Sequence, residues 1–421
     1  LYPFWPLMFR RLVPVLLLGV LAAFLEAAFI SLRQFHPFDG HIVECVALLL
    51  GAGVVYVVAA WLALRRTQSS PAATAIILLA ALAFRLTLFA LPPSLSPDLY
   101  RYQWDGQLQL AGQNPYLVAP HAGQPLPGAG WTAGYGPLAE LLFYLAARLD
   151  GPTAFKLLSL LFDLGSLLVL LALLRAQRLP TERVLLYAWC PLVVVEFAGS
   201  GHNDSMVVFA LLLANLAIIR GWRGVSIGAL AAATMVKWFP ALALPVFLRR
   251  TGWRHLVWFV AVVAAVALPY RDAGWRFFAA VILYAQKVRN NASLFDLLTA
   301  ASGSDKVAAA VAAIVLAGLA LWLAWRRADP LRASYLLMAA LLLLSPSIHP
   351  WYVTWLVPFL CFFPNPGFLL WTVTVFLGYH VLVDYNILGL WHFDPRLVWL
   401  EYLPVYALLL WRGWRRYRLG G

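Results

Sequence analysis

The feature that most constrains the fold is a series of apolar runs, each near 20 residues, that recurs along the whole chain. A helix needs about 20 apolar residues to cross the hydrocarbon core of a bilayer. Only 12% of the 421 residues are charged and the mean hydropathy is +0.80. The sequence therefore predicts an all-α, polytopic transmembrane protein with about 12–14 membrane segments, in a single domain spanning residues 1–421.

Arginine pairs between the apolar runs predict the orientation. The formal net charge is +13, and the positive-inside rule places clusters such as Arg65-Arg66, Arg249-Arg250 and Arg326-Arg327 on the cytoplasmic side. Residues 94–136 then lie outside. This charge pattern indicates topology signals and anionic lipid head groups, not a nucleic acid partner. The three cysteines lie inside apolar runs without metal-ligand spacing, so we expect no metal and no cofactor.

Two segments are predicted not to cross the membrane as ordinary helices. A short helix at 137–148 is expected to lie in the outer interface. Segments 225–236 and 239–248 are each about half a bilayer long. Pro240 breaks the helix between them, which predicts a broken or re-entrant pair with Lys237 at its tip.

The first long polar stretch begins at Ser96-Pro-Asp98 and contains the most informative pattern. A helix starting near Asp98 would place Asp98, Arg101, Tyr102 and Asp105 on one face, because they fall at i, i+3, i+4 and i+7. Two carboxylates, an arginine and a tyrosine would then lie together beside the membrane. We take this face as the candidate chemical centre.

The predicted topology brings further polar residues to the same outer side. Ionisable groups at membrane depth are costly and are candidates for function. The residues concerned are Asp98, Arg101, Asp105, His202, Asp204, Lys237, Arg289, His349, Tyr352 and His392.

Each has a structural alternative. Asp98 could cap a loop helix, Asn203 or Asp204 could cap the span that follows it, and Arg101 with Asp105 could be a local ion pair. Lys237 could extend to the interface, His349 could belong to an interfacial aromatic belt, and Arg85 either anchors a phosphate or pairs with a carboxylate.

A carboxylate among cations at a lipid surface suits transfer from a lipid-linked sugar. Such a reaction needs cations for a phosphate leaving group and one carboxylate to take a proton from a hydroxyl acceptor. A soluble nucleotide-sugar site would instead need a Gly-rich loop or a metal-binding pair of acids, and the sequence contains neither.

Several motifs in order resemble one known family. Asp98-Leu-Tyr-Arg-Tyr102 with Trp104-Asp-Gly106 and Gly112-Gln-Asn-Pro-Tyr116 is similar to the first outer loop of GT-C membrane glycosyltransferases. The resemblance is greatest to bacterial polyprenol-phosphate-mannose-dependent mannosyltransferases. It continues through Tyr135-Gly-Pro-Leu138, Lys156 with Asp163, Gly201-His-Asn-Asp204, Lys237-Trp-Phe-Pro240 and Ser345-Pro-Ser-Ile-His-Pro-Trp-Tyr352. It implies a core at 71–365, additional spans at 1–70 and C-terminal spans at 366–421.

The resemblance implies an inverting transfer of a sugar, mannose by this similarity, with Asp98 as general base. The polyprenyl-phosphate sugar would be bound at the outer face of a bacterial inner membrane, and the acceptor would be a glycolipid, glycan or protein hydroxyl. Relatives often carry a second acid near this position, where this chain has Ser96, Pro97 and Leu99. We expect the donor phosphate to be bound by Lys237, Arg289, His349 and Arg85. The expected substrate-binding residues are Arg101, Tyr102, Asp105, Asn114, Tyr116, Tyr135, His202, Asp204 and Tyr352.

A transporter or flippase of a lipid-linked sugar is the alternative function. It would share a basic groove and a broken helix at Lys237. It would also need polar lining on both membrane faces, whereas the predicted polar groups collect on one.

Overall fold

The computed structural model describes residues 5–67, 69–93, 95–149 and 151–419. Within these ranges the regular structure is helical, and the β-type pairing is confined to an isolated bridge between Asn290 and Ser347. The predicted all-α fold is confirmed.

Fewer helices could cross a membrane than the sequence predicted. By length and composition, seven helices in the described ranges qualify: Val15–Phe35, Ile42–Leu64, Pro71–Phe89, Thr153–Ala176, Trp253–Lys287, Asp305–Trp325 and Pro366–Leu388. The broken pair Pro191–Gly199 and Asp204–Ile219 is an eighth if it counts as one span. This is a multi-pass membrane protein with seven or eight candidate spans, below the about 12–14 segments expected from apolar length alone.

The difference arises from apolar helices that are too short to cross a bilayer. Asp204–Ile219, Arg223–Val236 and Pro330–Leu344 have 16, 14 and 15 residues. Pro346 follows the end of the last of these, and a residue before proline is restricted away from helical geometry. These segments form apolar helices, as predicted, but each is too short to qualify as a full span.

The chain divides into two compact units. Unit 1 comprises Leu1–Leu95, Leu170–Gly199 and Val357–Gly421, and unit 2 comprises Ser96–Val169 and Ser200–Leu356. The single domain predicted for residues 1–421 stays a prediction.

Unit 1 packs its long helices around buried polar anchors. Trp5–Leu32, Ile42–Leu64 and Pro71–Phe89 pack together. The indole N–H of Trp189 donates to the carbonyl of Ile77 over 2.9 Å, and the Tyr56 hydroxyl donates to the carbonyl of Leu186 over 2.7 Å. These bonds satisfy backbone acceptors where water is excluded. The unit ends with Pro366–Thr374, Val381–Leu388 and Pro395–Leu419.

Unit 2 contains the polar loop helix and the helices that support it. The helix Asp98–Leu110, called the Asp98 helix below, packs on Pro137–Ala147. The contact is close, because a Cβ on Gly106 would lie 2.5 Å from the carbonyl oxygen of Phe143. Other helices of the unit are Thr153–Ala176, whose last part belongs to unit 1, Leu256–Ala267, Ala279–Lys287, Leu294–Ser302 and Asp305–Trp325.

The predicted break at Lys237 is confirmed. Arg223–Val236 ends there, and Lys237 is extended with φ −140° and ψ 138°. A 3₁₀ turn, Phe239–Ala243, follows before the helix Leu244–Thr251. Because Pro240 lacks an N–H and its ring would clash with the carbonyl of Val236, four residues earlier, the α-helix does not continue through this point, and the Lys237 side chain is presented at the break.

Candidate active site

Asp98 is the first residue of the Asp98 helix, as the spacing predicted. Its backbone N–H donates to Ser96 Oγ over 3.3 Å. The side chain is 19% exposed, and Oδ2 lies 3.7 Å from His202 Nδ1. Asp98 is thus a partly accessible acid whose neighbour is an imidazole.

The surroundings of Asp98 raise its proton affinity. Burial is the main cause, the Asp204 carboxylate adds to it, and Lys237 and Arg101 oppose it, so that the pKa rises to about 6. A carboxylate with this pKa is mostly ionised at neutral pH and binds a proton more strongly than an exposed aspartate. General bases are effective when their pKa lies near the working pH.

Asp204 and Lys237 form an ion pair in the same unit. Lys237 Nζ lies 2.7 Å from Asp204 Oδ1, and the indole N–H of Trp355 donates to the same oxygen. The ammonium also lies 5.0 Å from the ring centre of Tyr352 and 5.4 Å from that of Trp355. These contacts fix the position of a cation at the helix break.

Two histidines lie against one tryptophan. The ring of His202 stacks on Trp351 at 4.2 Å between centroids, and the ring of His349 stacks on it at 4.5 Å. Tyr102 reaches the same group, because its hydroxyl lies 3.5 Å from His202 Nδ1 and 3.4 Å from Asn203 Oδ1. Residues from the Asp98 helix, the 202–204 turn and the 349–355 segment therefore meet in unit 2.

His349 is held by polar neighbours on the far side of this stack. Asn290 Nδ2 lies 2.7 Å from His349 Nδ1, and the Tyr284 hydroxyl lies 3.2 Å from Nε2. Tyr284 also contacts Tyr352 through their hydroxyl groups, at 3.2 Å. Burial, with a smaller contribution from the Lys237 charge, lowers the pKa of His349 to about 3. Its imidazole is neutral at physiological pH and can act as a hydrogen-bonding group.

Arg101 and Asp105, predicted to bind substrate, contact each other and a loop. Arg101 Nε lies 3.0 Å from Asp105 Oδ2, and its terminal nitrogens donate to the carbonyls of Pro127, Gly128 and Trp131 over 3.1–3.2 Å. The guanidinium thereby fixes the loop of residues 127–131 to the Asp98 helix. Substrate binding by this pair stays a prediction, and the observed contacts match the ion-pair alternative.

Asn114, Tyr116 and Tyr135 lie in the same loop scaffold. Asn114 Nδ2 donates to Asp272 Oδ1 over 2.7 Å, and the Tyr116 hydroxyl donates to the Tyr135 carbonyl over 2.8 Å. The Tyr135 ring packs edge-on against Tyr102 at 5.1 Å. Of these three residues, Tyr135 contacts the cluster around Asp98 through its ring. Their predicted roles in binding substrate stay predictions.

Two predicted phosphate ligands have other partners. Arg289 pairs with Asp305, with 3.0 Å between NH2 and Oδ2, and its guanidinium lies over the Phe295 ring. Arg85 belongs to unit 1, where it donates to the carbonyls of Ala81 and Ala188. Lys237 and His349 are the two predicted phosphate ligands that the structure brings together with Asp98.

The structure adds residues that the sequence interpretation missed. Asn203, Trp351 and Trp355 border the cluster, and Tyr284 with Asn290 positions His349. The tryptophans had a sequence signal, because Trp351 belongs to the motif that contains His349 and Trp355 falls four residues after it. Tyr284 and Asn290 had none, since no spacing relates them to residues near 349.

Comparison with known families identifies the family of this chain. Residues 13–251 match the model described as alpha-(1->6)-mannopyranosyltransferase, N-terminal domain, and residues 293–385 match the MptB C-terminal domain. No match was found among curated proteins. The matched family consists of transferases and not of transporters. Of the two function classes considered from the sequence, the enzyme is therefore the correct one. The chain belongs to the MptA/MptB alpha-(1->6)-mannopyranosyltransferase family and is a membrane enzyme that transfers mannose from polyprenyl-phosphate mannose.

Proposed function

We propose that the cluster around Asp98 in unit 2 is the active site of an inverting mannosyltransferase with a GT-C fold. It faces the outer side of a bacterial inner membrane, as the arginine distribution indicates. The observation that supports this most strongly is the set Asp98, His202, Asp204 and Lys237: a partly accessible base of raised pKa beside a fixed cation.

The chemistry follows from the linkage that the family makes. An α-(1→6) bond joins C1 of the donor mannose to O6 of an acceptor glycan, so the nucleophile is a primary hydroxyl. The bond between C1 and the phosphate oxygen breaks while the bond between C1 and O6 forms on the opposite face. Asp98 accepts the proton of the hydroxyl, and polyprenyl phosphate leaves with the electron pair of the broken bond.

Lys237 is the cation that we assign to the leaving phosphate. One of its three N–H donors is taken by Asp204, and the others are available to phosphate oxygens. His349 lies beside it as a neutral hydrogen-bonding group. Stabilising charge that develops on a leaving oxygen is usually the largest contribution of such a site. His202, Tyr352 and Tyr102 surround the sugar in this proposal, and Arg101 with Asp105 supports the loop over it.

Replacement of Asp98 tests the proposal. Asp98→Asn keeps the size of the side chain and removes its basicity, so we expect transfer to fall by about 10²- to 10⁴-fold, the usual contribution of a general base. The measurement is the rate of radiolabelled mannose transfer from polyprenyl-phosphate mannose to a synthetic α-(1→6)-mannoside by the purified full chain.

Asp394→Asn is the control. Asp394 is a carboxylate paired with Arg396 at the surface of unit 1, and its replacement should leave the rate within about twofold, as expected for a surface pair. A wild-type rate for Asp98→Asn in folded protein would refute the assignment of the base.

A further inference from the structure

The turn Gly201-His-Asn-Asp204 presents two buried polar atoms that the described residues leave without hydrogen bonds. Asn203 and Asp204 are both 0% exposed. Asn203 Nδ2 and Asp204 Oδ2 have no hydrogen-bond partner among the described residues. Leaving a buried donor or acceptor unpaired costs about 1–3 kcal/mol, so an unpaired donor and an unpaired acceptor on consecutive residues point to a ligand that supplies both partners.

The other atom of each side chain is already engaged with the cluster. Asn203 Oδ1 accepts from the Tyr102 hydroxyl over 3.4 Å, and Asp204 Oδ1 accepts from Lys237 and Trp355. These bonds fix both side chains. The two free atoms therefore belong to rigid groups that border the proposed active site.

The turn itself is fixed against the Asp98 helix. Gly201 has φ +75°, and a Cβ there would lie 2.6 Å from Leu99 Cδ1. Ser159 Oγ donates to the carbonyl of His202 over 2.8 Å. The turn therefore packs directly against Leu99, the residue that follows Asp98.

A donor and an acceptor on consecutive residues of one turn match the hydroxyl group of a sugar. A hydroxyl accepts one hydrogen bond and donates another, so it would take the Asn203 N–H and give its own proton to Asp204. We infer that Asn203 and Asp204 bind one hydroxyl of a mannosyl unit and make this enzyme select for that hydroxyl. The inference rests on the proposed function and adds Asn203 as a specificity-determining residue.

Such an arrangement should discriminate strongly. A site built to hydrogen-bond a substrate hydroxyl rejects the analogue that lacks it by much more than an apolar pocket rejects a methylene. A substrate without the hydroxyl leaves the buried Asn203 donor and Asp204 acceptor unpaired when it binds. Replacing Asn203 removes the buried donor, so the variant no longer loses that hydrogen bond with the deoxy substrate.

The test combines a variant with a series of deoxy substrates. The full-length enzyme and Asn203→Leu, which keeps comparable volume, are assayed with polyprenyl-phosphate mannose and its monodeoxy analogues. In a separate series they are assayed with an α-(1→6)-mannoside acceptor and those of its monodeoxy forms that retain the reacting 6-hydroxyl. We expect the wild type to disfavour one analogue by about 100-fold or more in kcat/KM, and the variant to reduce this ratio to about tenfold or less. The series in which this occurs tells whether the hydroxyl belongs to the donor or to the acceptor.

The readout is a ratio within one enzyme preparation, so a partly misfolded variant does not obscure it. Asn215→Leu is the matched control, because Asn215 is another fully buried asparagine of the helix Asp204–Ile219 with an unpaired oxygen. It contacts Leu211 and Ser334 and should leave every ratio unchanged.

The outcomes separate this inference from the proposed function. If Asp98→Asn is inactive and Asn203→Leu retains the wild-type ratios in both series, the hydroxyl assignment is overturned while the active site stands. If Asp98→Asn is fully active, the active-site proposal fails first. Reduced discrimination in Asn203→Leu with an inactive Asp98→Asn supports both.

Discussion

Two carboxylates of the cluster have environments that suit them to different tasks. The Asp98 side chain is 19% exposed, whereas Asp204 is fully buried and paired with Lys237. A partly accessible acid of raised pKa can take up a proton from a substrate. A buried acid in an ion pair instead holds its partner in place. Carboxylates separated by environment in this way commonly divide the acid–base and positioning roles of a site.

The raised pKa of Asp98 predicts an acidic limit of activity. Asp98 must be ionised to act as a base, so kcat/KM should fall as the pH drops through about 6 and decline about tenfold per unit well below it. The measurement is kcat/KM for mannose transfer between pH 5 and 8, with enzyme stability checked at each pH. A constant kcat/KM across this range in folded enzyme would contradict the role of Asp98.

Among the helices and loops, the sequence predicted which segments carry the site. It predicted few of the contacts between those segments. The Asp98 helix and the break at Lys237 followed from i, i+3, i+4 spacing and from Pro240. The spacing predicts which residues share one face of a helix, but it does not predict what that face contacts. Arg101 was therefore expected near substrate, although its guanidinium binds the backbone carbonyls of residues 127, 128 and 131, which no side-chain pattern reveals.

The contact between the 201–204 turn and the Asp98 helix predicts a specific effect of Gly201→Ala. Both Gly201→Ala and Gly112→Ala place a side chain at positive φ, of 75° and 76°, at a cost of about 1–2 kcal/mol. Only at Gly201 would the Cβ also collide with Leu99, which we expect to add about 1–3 kcal/mol of destabilisation and to lower activity by moving Asp98. Thermal unfolding and transfer assays would measure both effects.

Two further variants serve as controls for this prediction. Gly112→Ala, whose Cβ meets nothing within 4 Å, should retain its activity. Leu99→Ala added to Gly201→Ala should recover part of the lost stability by creating space. Equal effects of the two glycine substitutions would mean that the contact with Leu99 contributes nothing.

For the molecule as a whole, the sequence correctly predicted a multi-pass membrane protein and overestimated the number of membrane segments. Hydropathy measures apolar content, and a short helix buried on all sides inside a protein is as apolar as one that crosses a bilayer. Asp204–Ile219 shows this, since most of its residues are buried although it has only 16. Orientation rests on the arginine distribution and can be tested directly.

Single cysteines would report the orientation. Cys45, Cys190 and Cys361 are buried, so a membrane-impermeant maleimide should react weakly with the wild type. Gln124 lies in an exposed loop that the proposed topology places outside, so Gln124→Cys should be labelled in intact spheroplasts. Arg326 is also exposed and is placed inside, so Arg326→Cys should be labelled only after permeabilisation. The opposite pattern would invert the proposed topology and place Asp98 on the cytoplasmic side.

The ion pair at the helix break also affects how an anionic lipid is captured. Around Asp98, two carboxylates face one ammonium, and His349 is uncharged, so this group of side chains offers a phosphodiester no net electrostatic attraction from a distance. Most of the affinity would then come from the isoprenoid tail, at about 0.8 kcal/mol per buried methylene. Mannose 1-phosphate, a head group without a tail, should accordingly be a weak competitor even at high concentration.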